Sequence, residues 1–527
     1  EFDRLVMRFG DDTAARLLEQ AQPGGRERDG DARKLYRERH DKARTERLYD
    51  LDARVLADLI DLQHGTPDPR GGLFWADIDG KHWFSVELDP GRQEEIFVTR
   101  SRGRDRVRDT WTAFHLRDEY RIGPPGVASI PVESWRPPAA APEIDVDMVI
   151  DDNGKVRASA RLQVVADRAT RSLRLLISPL LEVTAARWQP VSVDGPPIRL
   201  PDVASGPARE PAELTGTAVE FVQSKFGRGM NEDRWDPRVT ILLPRTVAPG
   251  ETIELQLRYR GQLLERLYNR DYFHRDTESW YPRLPGARRA RMSMTFRTAD
   301  KHRVATAGRL VAEIERDGTR IERYRVETPT TNMAFHYGDL KPKLYEHPDL
   351  PVTVYESPNT TGFSPGNRDQ TLADLRGAYA MYERYFGPAP VDALKVAETP
   401  GRGGQSFPGF VLLSFATFGA MNTGEAELFR THEIAHQWFG NEVSWDTYRD
   451  QWMSEGFAQY GAALYALRVQ EDEDKFLKMM SAWRKDVLNK IDVGQRLGTR
   501  YFGFTPSVLQ KSDGFESGPL WIGYRLA

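Results

Sequence analysis

Cysteine is absent from all 527 residues. That excludes disulfides and thiolate metal ligands, but it selects no compartment, because secreted bacterial enzymes also occur without cysteine. Long apolar runs are missing too; none approaches the roughly 20 residues needed to span a bilayer. A charge excess is lacking as well, with 74 basic residues against 78 acidic ones and a net charge of −4. That balance supports no nucleic-acid partner, and the Arg-rich stretch over residues 26–47 alternates with acids and reads as a solvated helix face. No signal peptide is visible. The chain opens Glu1-Phe2-Asp3 without an initiator Met and stops at Ala527, so both ends are expected to be cuts in a longer protein. Cytoplasmic and periplasmic or secreted locations both stay open.

The composition, 39% hydrophobic and 29% charged, is that of a globular protein. The length suggests about three domains. Residues 1–135 read as helical and then β-rich: Leu48, Leu51, Val55, Leu56, Leu59 and Ile60 recur at helical spacing, and Asp79-Gly80 marks a hairpin between aromatic-rich runs. Residues 136–142, rich in Pro and Ala, read as a linker. Over residues 143–350 the pattern is strand-like. Val156, Ala158, Ala160, Leu162 and Val164 alternate with mostly polar residues, as do Ile253, Leu255, Leu257 and Tyr259, and Met292, Met294 and Phe296. Asp317-Gly318 marks a further hairpin. Half-buried antiparallel strands of this kind predict a sandwich-like domain. Residues 351–527 follow as a mixed domain whose first helix carries the stripe Leu372, Leu375, Tyr379, Tyr382 and Phe386, stopped by Gly387-Pro388. Strands are expected at Leu394–Thr399 and Phe410–Phe418.

The densest chemical signal is His432-Glu433-Ile434-Ala435-His436, with Glu455 after eighteen further residues. Residues four apart share a helix face, so both imidazoles can reach one cation. Two histidines and a carboxylate suit a catalytic zinc whose fourth position stays open for water. Glu433 adjoins the first ligand and can take a proton from that water. Asn422 and Glu425 can cap the helix start, Gly440-Asn441 can end it, and a second helix from about Asp450 to Val469 carries Glu455.

The strings Thr431-His432-Glu433-Ile434-Ala435-His436-Gln437-Trp438-Phe439-Gly440-Asn441 and Trp452-Met453-Ser454-Glu455-Gly456-Phe457-Ala458 resemble the zinc aminopeptidases typified by aminopeptidase N and leukotriene hydrolase, the gluzincins. The resemblance is strongest over residues 365–465, weaker over 143–350 and absent from 1–135. It implies a bacterial member and a multidomain α+β protein: a β-rich sandwich-like domain, then a thermolysin-like zinc domain, with an extra N-terminal helix-plus-strand region. It implies one Zn2+ per chain held by His432, His436 and Glu455, Glu433 as general base, and a peptide substrate. An edge strand should hold the peptide backbone, with the groups around Phe410–Leu413 aligning it.

Two departures qualify the expected activity. The family's G-x-M-E-N motif carries the glutamate that binds the substrate's free amine, and the matching stretch here is Gly403-Gly404-Gln405-Ser406-Phe407-Pro408-Gly409-Phe410, with no acid and with Gln405 or Ser406 near the glutamate's slot. Gly404, Gln405, Ser406, Pro408 and Gly409 are therefore the substrate-binding candidates, with amine recognition altered and Glu398 the nearest replacement carboxylate. The family's oxyanion-stabilising tyrosine is matched by spacing at Phe515, which has no hydroxyl; Gly518 to Leu526 instead resembles the segment preceding that tyrosine, which would then lie past Ala527. The resulting expectation is an aminopeptidase-type zinc peptidase. The alternatives are a catalytically weakened scaffold protein and a hydrolase of non-peptide substrates.

Overall fold

A computed structural model describes residues 3–20, 29–46, 51–68, 71–80, 83–90, 96–102, 107–114, 120–121, 130–131, 138–191, 203, 207–224, 238–267, 271–285, 289–358, 365–388, 391–400, 404–414, 417, 426–444 and 451–488. Three layers of organisation follow one another along the chain.

The N-terminal region is a five-stranded antiparallel meander with helices Thr13–Gln20, Asp29–Glu46 and Leu51–Gln63. Its first strand, Arg4–Phe9, lies in a stretch expected to be helical and pairs with Phe74–Asp79. Six residues are too few to display a period, and the partner that makes them a strand arrives some 65 positions later. The Asp79-Gly80 hairpin holds, with Ile78 opposite Phe84. The Leu51–Gln63 helix buries Leu51 and Val55 but leaves Leu56 and Leu59 exposed, and buries Arg54 instead.

The β-rich domain packs an eight-stranded sheet against a three-stranded one made of Thr170–Leu176, Arg238–Val247 and Glu220–Gln223. The alternation read from the sequence is the core: Ala158, Ala160, Leu162, Leu255, Leu257, Tyr259, Met294 and Phe296 are all essentially inaccessible. Burying a side chain such as Phe296 contributes roughly 1.5–3 kcal/mol. One pair departs from the antiparallel expectation, since Ala139–Ile150 and Ala290–Ala299 run parallel. Asp317 and Gly318 both have positive φ, 53° and 65°, and join Arg316 to Thr319 in a two-residue turn.

Sheet membership moves both boundaries expected for this domain. Residues 139–142 are not linker but the start of the Ala139–Ile150 strand, with Ala139 and Ala141 buried against the strand Lys155–Ala166. Small side chains there let the backbones pack, which in composition looks like a spacer. At the other end, Lys341–Tyr345 pairs with Val352–Glu356 and so belongs to the next sheet.

That next sheet has the order Lys341–Tyr345, Val352–Glu356, Leu394–Thr399, Phe410–Ser414, Gly404–Phe407. Its two inner pairings are parallel and its outer ones antiparallel. The Pro365–Phe386 helix makes the crossover between parallel strands. Gly387, at φ 93°, ends that helix, and its N–H bonds the Glu383 carbonyl. The sheet's three inner strands are buried on both faces. Val396, Val411 and Leu413 join a core with Leu375, Tyr382, Ile434 and Trp438 of the helices, while Ala397, Phe407, Phe410 and Leu412 join the core of the β-rich domain.

Candidate metal centre and edge strand

Helix Ala426–Ala435 carries His432 and Glu433, and His436 sits in the turn that continues it, with His436 N–H still bonding the His432 carbonyl at 3.3 Å. Glu455 comes from helix Gln451–Arg468, close to the expected bounds. His432 Nε2 and His436 Nε2 lie 3.0 Å apart, and Glu455 Oε2 lies 3.3 and 3.4 Å from them. Two imidazole nitrogens that close repel unless a proton or a cation lies between them. Ligands bonded to tetrahedral zinc at the usual lengths would be separated by about 3.3 Å, so the three donor atoms fit Zn2+. They form the one group of three or more potential metal-ligand side chains found among the described residues. His436 Nδ1 faces the Phe439 carbonyl at 2.8 Å, which assigns the ring proton there and leaves Nε2 to face the centre. Gly440, at φ 107°, permits this turn; a Cβ there would lie 2.5 Å from Ser454 Oγ.

The electrostatics are those of charge concentrated out of water. Burial pushes the Glu433 carboxyl up to about 8, with His436 opposing and Glu455 adding to the rise. Burial opposes a charged His436, but Glu455 outweighs it and lifts His436 to about 9. Glu455 is held well below the carboxylate range, because the two histidines overcome its desolvation. Positive charge at the centre would lower Glu433 and favour its basic form.

Several buried residues that sequence reasoning passed over hold this arrangement. Asp374, on the Pro365–Phe386 helix, accepts from Arg430 Nε at 2.9 Å and from its Nη2, and from Tyr465 OH at 2.9 Å. One carboxylate thereby ties together three helices, two of which carry the ligands. Tyr382 OH donates to the Thr431 carbonyl at 3.1 Å, and Trp438 Nε1 to that of Gly387. Arg430 and Asp374 lie among other charged residues of their helices, and nothing in the sequence distinguishes them from a solvated helix face.

The substrate-binding candidates separate into three groups. Gly404 and Ser406 pair with Leu413 and Val411, so they share the sheet face that packs on the Glu433 helix. A Cβ on Gly404 would lie 2.6 Å from Glu433 Oε1. Gln405 pairs with Leu412 and occupies the opposite face, toward the β-rich domain. Pro408 and Gly409 form the two-residue turn between Phe407 and Phe410, with Gly409 at φ 69° as a Pro-Gly turn requires. Phe410–Ser414 is not the edge: strands flank it on both sides, so its ladder groups are taken, and the edge is Gly404–Phe407. The hairpin folds its first arm outward, which linear order does not reveal. Glu398 is buried on the helix face two strands inward, roughly 10 Å of sheet from Gly404. Trp280 and Tyr281 are core, the indole donating to the Met333 carbonyl. The proposed caps Asn422 and Glu425, and Phe515 with the segment after it, lie outside the described residues.

Residues 414–497 match the family model described as the Peptidase family M1 domain. That stretch is less than a fifth of the chain. Aminopeptidase 2 of Candida albicans is similar at 26% identity over 283 residues, 47% of this chain and 30% of that protein. Human endoplasmic reticulum aminopeptidase 2 is 30% identical over 110 residues, 18% of this chain and 12% of that one. Rat aminopeptidase N is 62% identical over 29 residues, 6% of this chain and 3% of that protein. The matches span less than a third of the length of these curated relatives. Among solved structures, an M1 zinc metallopeptidase from Deinococcus radiodurans is similar with a TM-score of 0.49 at 20% identity, covering 75% of this chain and 90% of that one. The M1 domain match begins at the last residue of the Phe410–Ser414 strand and takes in both ligand-bearing helices.

Proposed function

We propose that this protein is a zinc-dependent metallopeptidase of aminopeptidase type with altered recognition of the substrate's N-terminal amine. The observation that carries the reading is the placement of Glu433: it adjoins the converging His432, His436 and Glu455 and touches the open edge strand at Gly404. Zinc bound by those three side chains would acidify a water molecule and polarise a carbonyl. Glu433 takes the proton from the attacking water and passes it to the leaving amine. Among the described residues the outer edge of Gly404–Phe407 has no strand partner, so its N–H and C=O groups can pair with an extended peptide. In its metal-free form Glu433 keeps a proton near neutrality, so base function depends on the positive centre beside it.

Amine recognition depends on the edge strand's alternation. Ser406 shares the Glu433 face and Gln405 does not, so an amine held beside the reacting bond meets a hydroxyl where a carboxylate would give a charge-assisted bond. Acetylating the substrate's amine should therefore cost little, and Ser406→Glu should raise the preference for a free amine more than Gln405→Glu does.

The test measures metal content and hydrolysis of matched free and acetylated peptides together. Glu433→Gln should keep one zinc per chain and lose roughly 10²–10⁴-fold in turnover. Glu455→Ala should lose most of the metal. Near-normal turnover by Glu433→Gln would refute the base role, and unchanged zinc in Glu455→Ala the ligand set. Abolition of cleavage by acetylation would point to another carboxylate, Glu398 first.

A further inference from the structure

Gln437 follows His436 directly and is fully buried, yet its side chain is spent on a different element. Its amide oxygen accepts from Gly409 N–H at 2.9 Å. Its amide nitrogen donates to Ser406 Oγ at 2.7 Å and to the Phe407 carbonyl at 3.1 Å. All three bonds run to the hairpin that forms the edge of the catalytic sheet, and they meet both its first strand and its turn. A planar amide has few ways to satisfy three such partners at once, so the contact specifies orientation as well as distance. The strand it grips has a single strand neighbour among the described residues. At the other end of that strand Gly404 packs so tightly that a Cβ would fall 2.6 Å from Glu433 Oε1 and 2.7 Å from Phe429 Cζ. The edge is thus held on the ligand helix at two points, an amide at one end and a glycine at the other.

We propose that Gln437 is a positioning residue that clamps the open edge strand, so that a peptide paired to it presents its scissile carbonyl beside Glu433. The proposal rests on the peptidase reading above. It assigns to the residue after the second histidine a role in substrate placement, separate from metal binding.

The substitution Gln437→Met keeps the volume and removes all three hydrogen bonds; Ser406→Ala removes one. Hydrogen exchange is read by mass spectrometry on segments spanning 404–414, on the full chain with and without zinc. Gln437→Met should accelerate exchange over residues 404–410 by roughly 10-fold or more while leaving the Ala426–Ala435 helix as protected as before. Ser406→Ala should give a smaller acceleration in the same place. Zinc content should stay the same, and with peptide substrates KM should rise by a larger factor than kcat falls. Unchanged exchange over 404–410 in both variants would overturn the proposal. Loss of zinc or of helix protection in Gln437→Met would also overturn it, making the residue a prop of the ligand helix. If the unmutated protein hydrolyses no peptide, the peptidase reading fails, while the exchange measurement still decides whether the strand is clamped.

Discussion

Two helices in this molecule bury an arginine against acids, to different ends. In the N-terminal region Arg54 turns inward onto Glu87 at 2.7 Å and Asp89 at 2.5 Å, and Asp89 also meets Arg174 of the β-rich domain. Asp58 pairs with the same Arg174 at 2.8 Å, and Asp61 accepts from Arg171 N–H and Ser172 Oγ, both at 2.7 Å. That helix docks by charge and leaves Leu56 and Leu59 about 40% exposed. Around the candidate metal centre Arg430 and Asp374 are as deeply buried, but they lie beside an apolar core, and their partners sit on the helices that carry the candidate ligands. The first network joins modules; the second joins the helices that carry the candidate ligands. Burial of a charge therefore does not by itself mark a functional centre. What the charge connects does.

The contrast can be broken where its effect is largest, at Asp374. Asp374→Ala leaves Arg430 buried without its carboxylate and should cost about 3–5 kcal/mol of stability. It should also weaken zinc binding roughly 10–100-fold, measured by competition with a chelator, because it unties the helices that hold the ligands. Arg54→Ala should cost a similar amount, about 3–5 kcal/mol, by stranding Glu87 and Asp89. Its zinc affinity should be that of the unmutated protein, and a matching loss of zinc affinity would erase the distinction between the two networks.

A smaller effect sharpens the picture of the β-rich domain between them. Burial depresses His336 from 6.5 to about 4 and His274 to about 3, so both are neutral in the folded domain. The unfolded chain takes up their protons below about pH 6.5 and the folded one does not. Stability present above that pH is therefore lost as pH falls from about 6.5 to about 4, by up to about 3 kcal/mol for His336. Unfolding measured at pH 7 and pH 4.5 should show this decline, and His336→Leu should make it shallower. An equal decline in that variant would assign the acid sensitivity elsewhere, with His274 the next group to examine.

Much of the centre was legible because its determinants are local. His432 and His436 lie one helical turn apart, so their spacing implies a shared face whatever surrounds them. Alternation along Lys155–Ala166 and Thr252–Gln262 likewise implies one buried face, and Asp317-Gly318 suits the positive φ its turn requires. Misreadings came where a distant partner decides the outcome. Arg4–Phe9 is a strand because Phe74–Asp79 lies beside it. Leu56 and Leu59 share the spacing of core residues but face outward, because that helix docks through Arg54, Asp58 and Asp61.

The sequence by itself determined which atoms can bind a metal, which carboxylate stands beside them, and which residues of the long strands face inward. The tertiary structure alone decided that Gly404–Phe407 is the edge, that Ser406 and not Gln405 shares its face with Glu433, and that Gln437 and Asp374 hold the parts in place. The physical reason is range. Periodicity and turn chemistry act over a few residues, whereas strand order, free edges and the partners of buried polar groups depend on contacts between segments far apart in the chain.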